Sequence, residues 1–182
     1  GLAPLEPGET DTVIIAGMGG DLICKILKAK PEFLIEGKEF ILQPQSEWFK
    51  IRRLLKEYHY QIEKEWFLKE DGKYYVIIKA EPAWTQPQRL KHQEPSIHEY
   101  IKEISEIPVN QAVSEKDMES IYEQYGKYLI ETKNPVLKEY LEKEITKKES
   151  IAAELKQSIK EIESEELSGK ERGNIAKRQR RY

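Results

Sequence analysis

Val13-Ile14-Ile15 runs into Ala16-Gly17-Met18-Gly19-Gly20, so a β-branched apolar stretch breaks into glycines and then into a helical pattern. In open α/β sheets, ligands and reacting groups are held at the carboxyl ends of the strands. Gly17, Gly19 and Gly20 permit positive φ and let the main chain approach a flat ring or a cofactor closely. The carbonyls of Ala16 and Gly17 can accept from an exocyclic amine, and Met18 can pack on a base or a cofactor. The competing reading is a plain strand-to-helix turn whose glycines relieve crowding.

A second candidate edge is Phe40-Ile41-Leu42-Gln43-Pro44, a buried strand stopped by its proline. Gln43 at its end can hydrogen-bond a base edge or be a satisfied loop amide. Lys50, Arg52, Arg53 and Lys56 form the wet, basic outer face of the next helix, with Phe49, Leu54 and Leu55 turned inward. Lys50, Arg52 and Arg53, with Lys127, Lys133 and a terminal arginine cluster, are candidate phosphate contacts, although each alone reads first as an ordinary solvated side chain. Of Tyr74 and Tyr75, one is expected in the core and one outside, with stacking on RNA the minor reading. His59, His92 and His98 show no metal-ligand spacing, so no metal is expected. Cys24 lies in an apolar helical pattern and reads as a packed thiol.

The elements that must position these residues follow from periodicity. Val13 to Ala16 is a first strand, Asp21 to Leu34 a helix with Leu22, Ile23, Ile26 and Leu27 on one face, and Phe40 to Pro44 a second strand. Ser46 is the expected N-cap of a helix reaching Tyr58. Gln61 to Lys69 and Tyr74 to Ala80 flank Asp71-Gly72, a strong hairpin signal. The order is β-α-β-α followed by an antiparallel hairpin, an α/β pattern that ends a Rossmann-like sheet.

Pro82 to Pro95 is rich in proline and glutamine and reads as a linker. Ser96-Ile97-His98-Glu99 and Ser114-Glu115-Lys116-Asp117 each resemble a capping box. Met118, Ile121, Tyr125, Tyr128 and Leu129 make one apolar stripe. After Asn134-Pro135, the residues Leu137, Leu141, Ile145, Ala152, Leu155, Ile159 and Ile162 make a longer one, which suggests a helical hairpin or coiled coil without a strict heptad seam. Segments are therefore expected over 1–82 (partial Rossmann-like domain), 83–113 (linker with a short helix), 114–168 (helical arm) and 169–182 (basic tail).

The chain has 182 residues, 35% charged and 38% hydrophobic, and a net charge of -3. Lys170 to Tyr182 carries a local +5, suited either to following a phosphate backbone or to a disordered solubilising end. No stretch is apolar enough to span a bilayer, no secretion signal opens the chain, and one cysteine cannot pair internally. A soluble protein of the reducing cytoplasm is expected.

Asp11 to Gly20, Leu42-Gln43-Pro44-Gln45, Glu70 to Tyr75, and Tyr125-Gly126-Lys127-Tyr128-Leu129 with Lys133-Asn134 resemble the bacterial tRNA (adenine-22-N1)-methyltransferases. The resemblance covers most of Asp11 to Ala80 and, more loosely, Ser114 to about Leu155. It implies a class I S-adenosylmethionine-dependent methyltransferase sheet followed by a coiled coil, acting on a ring nitrogen of one tRNA adenine. Ala16, Gly17 and Met18 would then be catalytic, and Gly17, Met18 and Gly19 would touch the cofactor. Gly20, Gln43, Pro44, Arg52, Arg53, Lys127 and Lys133 would touch tRNA. Methyltransferases of exocyclic amines typically place Asn or Asp, two prolines and an aromatic at this loop; Ala16 to Gly20 lacks them, which favours a ring nitrogen.

The same resemblance implies that the main cofactor-binding loop and the acidic ribose-binding residue belong to an N-terminal half absent from this chain. The Val13 to Ala16 strand would then stand at a sheet edge, open to self-association or to the missing half. By itself the chain would be inactive. Two other readings stay open: a Rossmann-like enzyme whose glycine loop binds phosphate, although no Gly-x-Gly-x-x-Gly or P-loop lysine follows the strand, and a non-catalytic RNA- or protein-binding coiled-coil module.

Overall fold

The computed structural model describes residues 1–6, 8–85 and 114–179, with side chains described as far as Ile162 apart from Glu115. Two compact units are present, Gly1–Leu137 and Lys138–Tyr182. The first is built on a four-stranded mixed sheet of order β1-β2-β4-β3. β1 (Thr12–Met18) runs parallel to β2 (Glu39–Pro44), with Ile14 opposite Ile41 and Ala16 opposite Gln43. β3 (Tyr60–Glu70) and β4 (Lys73–Pro82) form the expected hairpin, and β4 also pairs antiparallel with β2. Asp71 and Gly72 both have positive φ, 47° and 75°, as a two-residue hairpin turn with the twist of its strands requires.

Alternation sorts the strands into two faces. Val13, Ile15, Phe40, Leu42, Val76 and Ile78 are buried and share the core with Ile23, Leu27, Phe33, Leu34, Ile51, Leu54 and Leu55 from the helices. On the other face Ile14 is 67% exposed. β1 is an edge strand, as expected.

The helices depart from the sequence expectation in instructive ways. The single helix over Asp21 to Leu34 is divided into α1 (Gly20–Lys28) and α2 (Pro31–Ile35), because Pro31 opens α2 and keeps Lys30 out of helical geometry at φ -134°, ψ 69°. α3 (Trp48–Glu57) is not capped by Ser46; its N-cap is Glu47, held left-handed at φ 53°. α4 (Glu115–Tyr125) does open on its capping residue, the Ser114 hydroxyl accepting from the Asp117 N–H at 3.2 Å. The first apolar stripe is broken at Gly126 (φ 90°), after which α5 (Lys127–Glu131) follows. α4 packs on α3 and α5 on β3 with Leu129 fully buried, so that stripe is spent inside the first unit rather than on a hairpin.

Asn134 caps the final helix, α6 (Pro135–Gln179), its Oδ1 accepting from the N–H groups of Val136 and Leu137 at 3.0 and 3.1 Å. Within the second unit Ile145, Leu155, Ile159 and Ile162 are exposed. The helix continues through the expected 168/169 boundary, so Lys170 to Arg178 belong to it rather than to a separate tail. The Ser96 helix and residues 86–113 of the linker lie outside the described residues. Among the described residues no helix is long and apolar enough to cross a membrane.

Candidate functional site

The parallel β1–β2 pair delivers two loops side by side. Register shifts between Ala16 and Met18, which leaves Gly17 as a bulge at φ 77°, so the elbow begins inside the end of the strand. Gly17 N–H, taken out of the ladder, donates to Gln43 Oε1 at 2.8 Å. One residue further the Gln45 N–H donates to the Met18 carbonyl at 2.8 Å, and the Gly20 N–H to the Ser46 carbonyl at 3.0 Å. The two loops are thus zipped together beyond the strands. Ala16 and Gly17 are exposed and Met18 is 37% exposed, so the elbow faces solvent with its main chain and one apolar side chain.

Gly19 is the N-cap of α1 and has no side chain to offer; the missing cap comes from Glu47, whose Oε2 accepts from the Asp21 N–H at 3.2 Å. Glu47 Oε1 also pairs with Lys50 at 2.6 Å, and Lys50 reaches Asp21 at 2.9 Å. Lysine partners hold both carboxyls below their usual range, that of Asp21 at about 2. A phosphate loop needs the helix N-terminus open to an anion. Here a carboxylate of the chain already stands there, which disfavours the phosphate-binding reading.

Several expected site residues are placed elsewhere. Gly20 is buried, and a Cβ on it would stand 2.6 Å from the Glu47 carbonyl oxygen, so its role is to let the loops close. Pro44 is fully buried and ends the strand without facing solvent. Arg52, expected wet, is 5% exposed. Its Nε donates to Glu65 Oε1 at 2.8 Å and its Nη1 to the Glu123 and Gln124 carbonyls at 3.0 Å each. Burial pushes the Glu65 carboxyl up, against the attraction of Arg52.

The rest of the α3 basic face is also used internally. Arg53 stays exposed but pairs with Glu123 at 2.8 Å, and Lys56 pairs with Glu119. Phe49 lies under the Arg53 guanidinium rather than in the core. The positive face therefore docks α4. Lys127 stands near Glu131 at 3.8 Å and over the Tyr122 ring, while Lys133 is exposed in a left-handed conformation.

Tyr74 and Tyr75 are both half-buried. Cys24 is half-buried, its thiol donating to the Lys50 carbonyl at 3.6 Å and pushed up by burial. Glu39, Glu63 and Glu81 converge, but the Lys79 ammonium sits among them at 2.9, 2.7 and 3.1 Å. Sequence reasoning missed Glu47 and the zipped loop after β2; the one available signal was an α1 whose N-cap position holds a glycine.

An edge-exposed parallel pair, a glycine elbow at its carboxyl end and a closing antiparallel hairpin define part of a Rossmann-like α/β domain of the methyltransferase type. The family model of tRNA (adenine(22)-N(1))-methyltransferase matches residues 1–107. This chain belongs to that family. It is 42% identical over 81 residues to the tRNA (adenine(22)-N(1))-methyltransferase of Bacillus subtilis (strain 168), an alignment covering 44% of this chain and 34% of that protein. The crystal structure of the B. subtilis M1A22 tRNA methyltransferase superposes with a TM-score of 0.59 at 29% identity, over 83% of this chain and 54% of that one. Streptococcus pneumoniae Sp1610 in complex with S-adenosyl-L-methionine superposes at 0.57 and 26% identity, over 81% and 55%. The chain thus spans about half the length of these solved structures.

Proposed function

We propose that this chain supplies the base-facing side of a tRNA (adenine-22-N1)-methyltransferase that moves a methyl group from S-adenosylmethionine to N1 of an adenine. The observation that carries this is the solvent-facing Gly17 elbow, bulged at positive φ at the carboxyl edge of a parallel pair, in a chain of that family.

Adenine N1 already holds an in-plane lone pair at neutral pH, so the reaction needs close, in-line placement more than a base. The elbow suits that need: the carbonyls of Ala16 and Gly17 accept from the exocyclic amine, and Met18 packs against the ring or the donor. The nearest carboxylates, Asp21 and Glu47, are tied to Lys50 and take no proton from the base.

When bound, S-adenosylmethionine supplies an electrophilic sulfonium methyl. Gly17, Met18 and Gly19 fit its methyl-donating end, Gly17 and Met18 being exposed, Gly19 half-buried, and all three small or apolar. The chain spans about half the length of its solved relatives, and the further half of the fold supplies groups that hold the rest of the cofactor.

N1 lies on the pairing edge, so the target adenine must leave its pair or stack before it reaches the elbow. Lys127 and Lys133 grip the tRNA phosphates, with Arg53 in a lesser part because Glu123 already neutralises it. The open edge of β1 takes a strand from the further half of the fold that longer relatives carry, or from a second copy. A tRNA substrate places the protein in the cytoplasm.

Isothermal titration with S-adenosylmethionine tests the reading, on this chain and on a version extended toward its N-terminus to the length of its relatives. Binding by the extended form alone is expected. Binding by neither overturns the enzyme reading in favour of a non-catalytic RNA- or protein-binding module.

A further inference from the structure

Each end of the glycine elbow carries a main-chain N–H that regular structure does not satisfy. At Gly17 the bulge takes the N–H out of the ladder, and at Asp21 the first turn of α1 follows a glycine N-cap that has no side chain to accept. Both donors are met by side-chain oxygens from the loop that follows β2. Gln43 Oε1 accepts from Gly17 at 2.8 Å, and Glu47 Oε2 accepts from Asp21 at 3.2 Å. Between them the Gln45 N–H holds the Met18 carbonyl and the Ser46 carbonyl holds the Gly20 N–H. The second loop thus clamps the elbow at Gly17, Met18, Gly20 and Asp21.

The two clamping side chains are themselves fixed. The Gln43 amide is closed off from solvent at Nε2, so it does not read a base edge and acts through Gly17 alone. Glu47 Oε1 is held by Lys50 at 2.6 Å, and the Glu47 backbone stays left-handed at φ 53°, a conformation that persists in a non-glycine residue only where its surroundings demand it.

We propose that Gln43 and Glu47 are positioning residues for methyl transfer, holding the main chain from Gly17 to Gly20 in the shape that places the adenine ring in line with the methyl donor. The inference rests on the function proposed above and deepens it. Transfer to a nitrogen that needs no base depends on placement, and a misplacement of about 1 Å can cost about a hundredfold in rate. A glycine-rich segment has the freest backbone of any and cannot keep such a placement by itself. The rigidity comes from outside it, and the loop after β2 supplies it. Neither side chain touches the substrate, so their loss acts on the chemical step rather than on the grip of tRNA.

The test uses the complete enzyme carrying this segment, with each variant assayed at a temperature where thermal unfolding shows it folded. Gln43→Met fills similar space without the amide oxygen, whereas Gln43→Glu keeps an oxygen for Gly17. Glu47→Ala removes the acceptor for Asp21, and Glu47→Gln keeps one. Gln43→Met is expected to lose at least about tenfold in kcat, with KM for tRNA and the affinity for S-adenosylmethionine unchanged. Glu47→Ala is expected to lose kcat in the same manner, and Gln43→Glu and Glu47→Gln to recover most of each loss. Hydrogen exchange by NMR is expected to show the Gly17 amide proton protected in wild type and Gln43→Glu and exposed in Gln43→Met.

Unchanged kcat in folded Gln43→Met and Glu47→Ala, or a loss carried by KM for tRNA, overturns the positioning roles and leaves the methyltransferase reading standing. Where Gln43→Met does not fold, the Glu47→Ala and Glu47→Gln pair decides by the same criterion. No methylation of tRNA by wild type removes the function on which the roles rest.

Discussion

Arg52 and Glu65 form an ion pair inside the protein, Nε to Oε1 at 2.8 Å, with side chains 4% and 0% exposed. The same guanidinium holds the last carbonyls of α4, where a positive charge also suits the helix dipole. A Cβ on Gly126 would overlap Glu65 Oε2 and stand 2.8 Å from Arg52 Nη2. The Tyr125-Gly126-Lys127 motif is therefore the seat of a clasp between the sheet and the helices that follow it.

Removing one partner of a buried pair strands the other charge. Arg52→Met is expected to cost about 3–5 kcal/mol in urea unfolding of this chain, and Arg52→Met with Glu65→Leu to recover much of that loss. Gly126→Ala is expected to destabilise by at least about 1 kcal/mol through overpacking at positive φ. An Arg52→Met protein within about 0.5 kcal/mol of wild type contradicts the clasp.

Two neighbouring glycines are expected to behave differently. A Cβ on Gly20 meets the Glu47 and Ser46 carbonyl oxygens at 2.6 and 2.7 Å, whereas on Gly19 it meets only the Ser46 hydroxyl at 3.2 Å. Gly20→Ala should lose about 1–3 kcal/mol or more, because backbone cannot step aside, and Gly19→Ala clearly less. Thermal unfolding of the two variants decides it, and equal losses refute the zipped-loop account.

Asp21 is expected to titrate at about 2, below the ordinary aspartate value of 3.8, because Lys25 and then Lys50 hydrogen-bond its carboxylate. A lowered folded pKa means a contribution that is present above the unfolded value and is lost as pH falls from about 4 through about 2. Carboxyl-detected NMR titration should show Lys25→Met raising the midpoint more than Lys50→Met. An Asp21 midpoint near 3.8 in the wild-type chain contradicts the network.

The β1 edge is expected to drive association of this chain by itself, since a strand with unpaired N–H and C=O groups and an exposed Ile14 invites pairing. Sedimentation should show concentration-dependent dimers that Ile14→Lys weakens at least tenfold. A stable wild-type monomer at high concentration contradicts this.

Much of this was legible in the chain. The β-branched run into glycines, the Asp71-Gly72 turn and the Ser114 cap each carry a local signal, because strand, hairpin and cap chemistry are fixed within a few residues. What was illegible depends on long-range pairing. Nothing adjacent to Arg52 reveals that Glu65, thirteen residues on, and the end of α4, some seventy residues on, consume its charge. The α3 lysines and arginines likewise read as an open basic face until Glu119 and Glu123 are seen against them. Gln43 was visible as a residue at a strand end, but its bond to Gly17 needed the parallel register.

The most direct measurement is the position of the methyl group. The complete enzyme carrying this segment, incubated with tRNA and S-adenosylmethionine and followed by nucleoside mass spectrometry, should yield 1-methyladenosine at one site, and Gly17→Val should abolish it. Methyl on the exocyclic N6, or undiminished 1-methyladenosine from Gly17→Val, would contradict a ring-nitrogen site built on the Gly17 elbow.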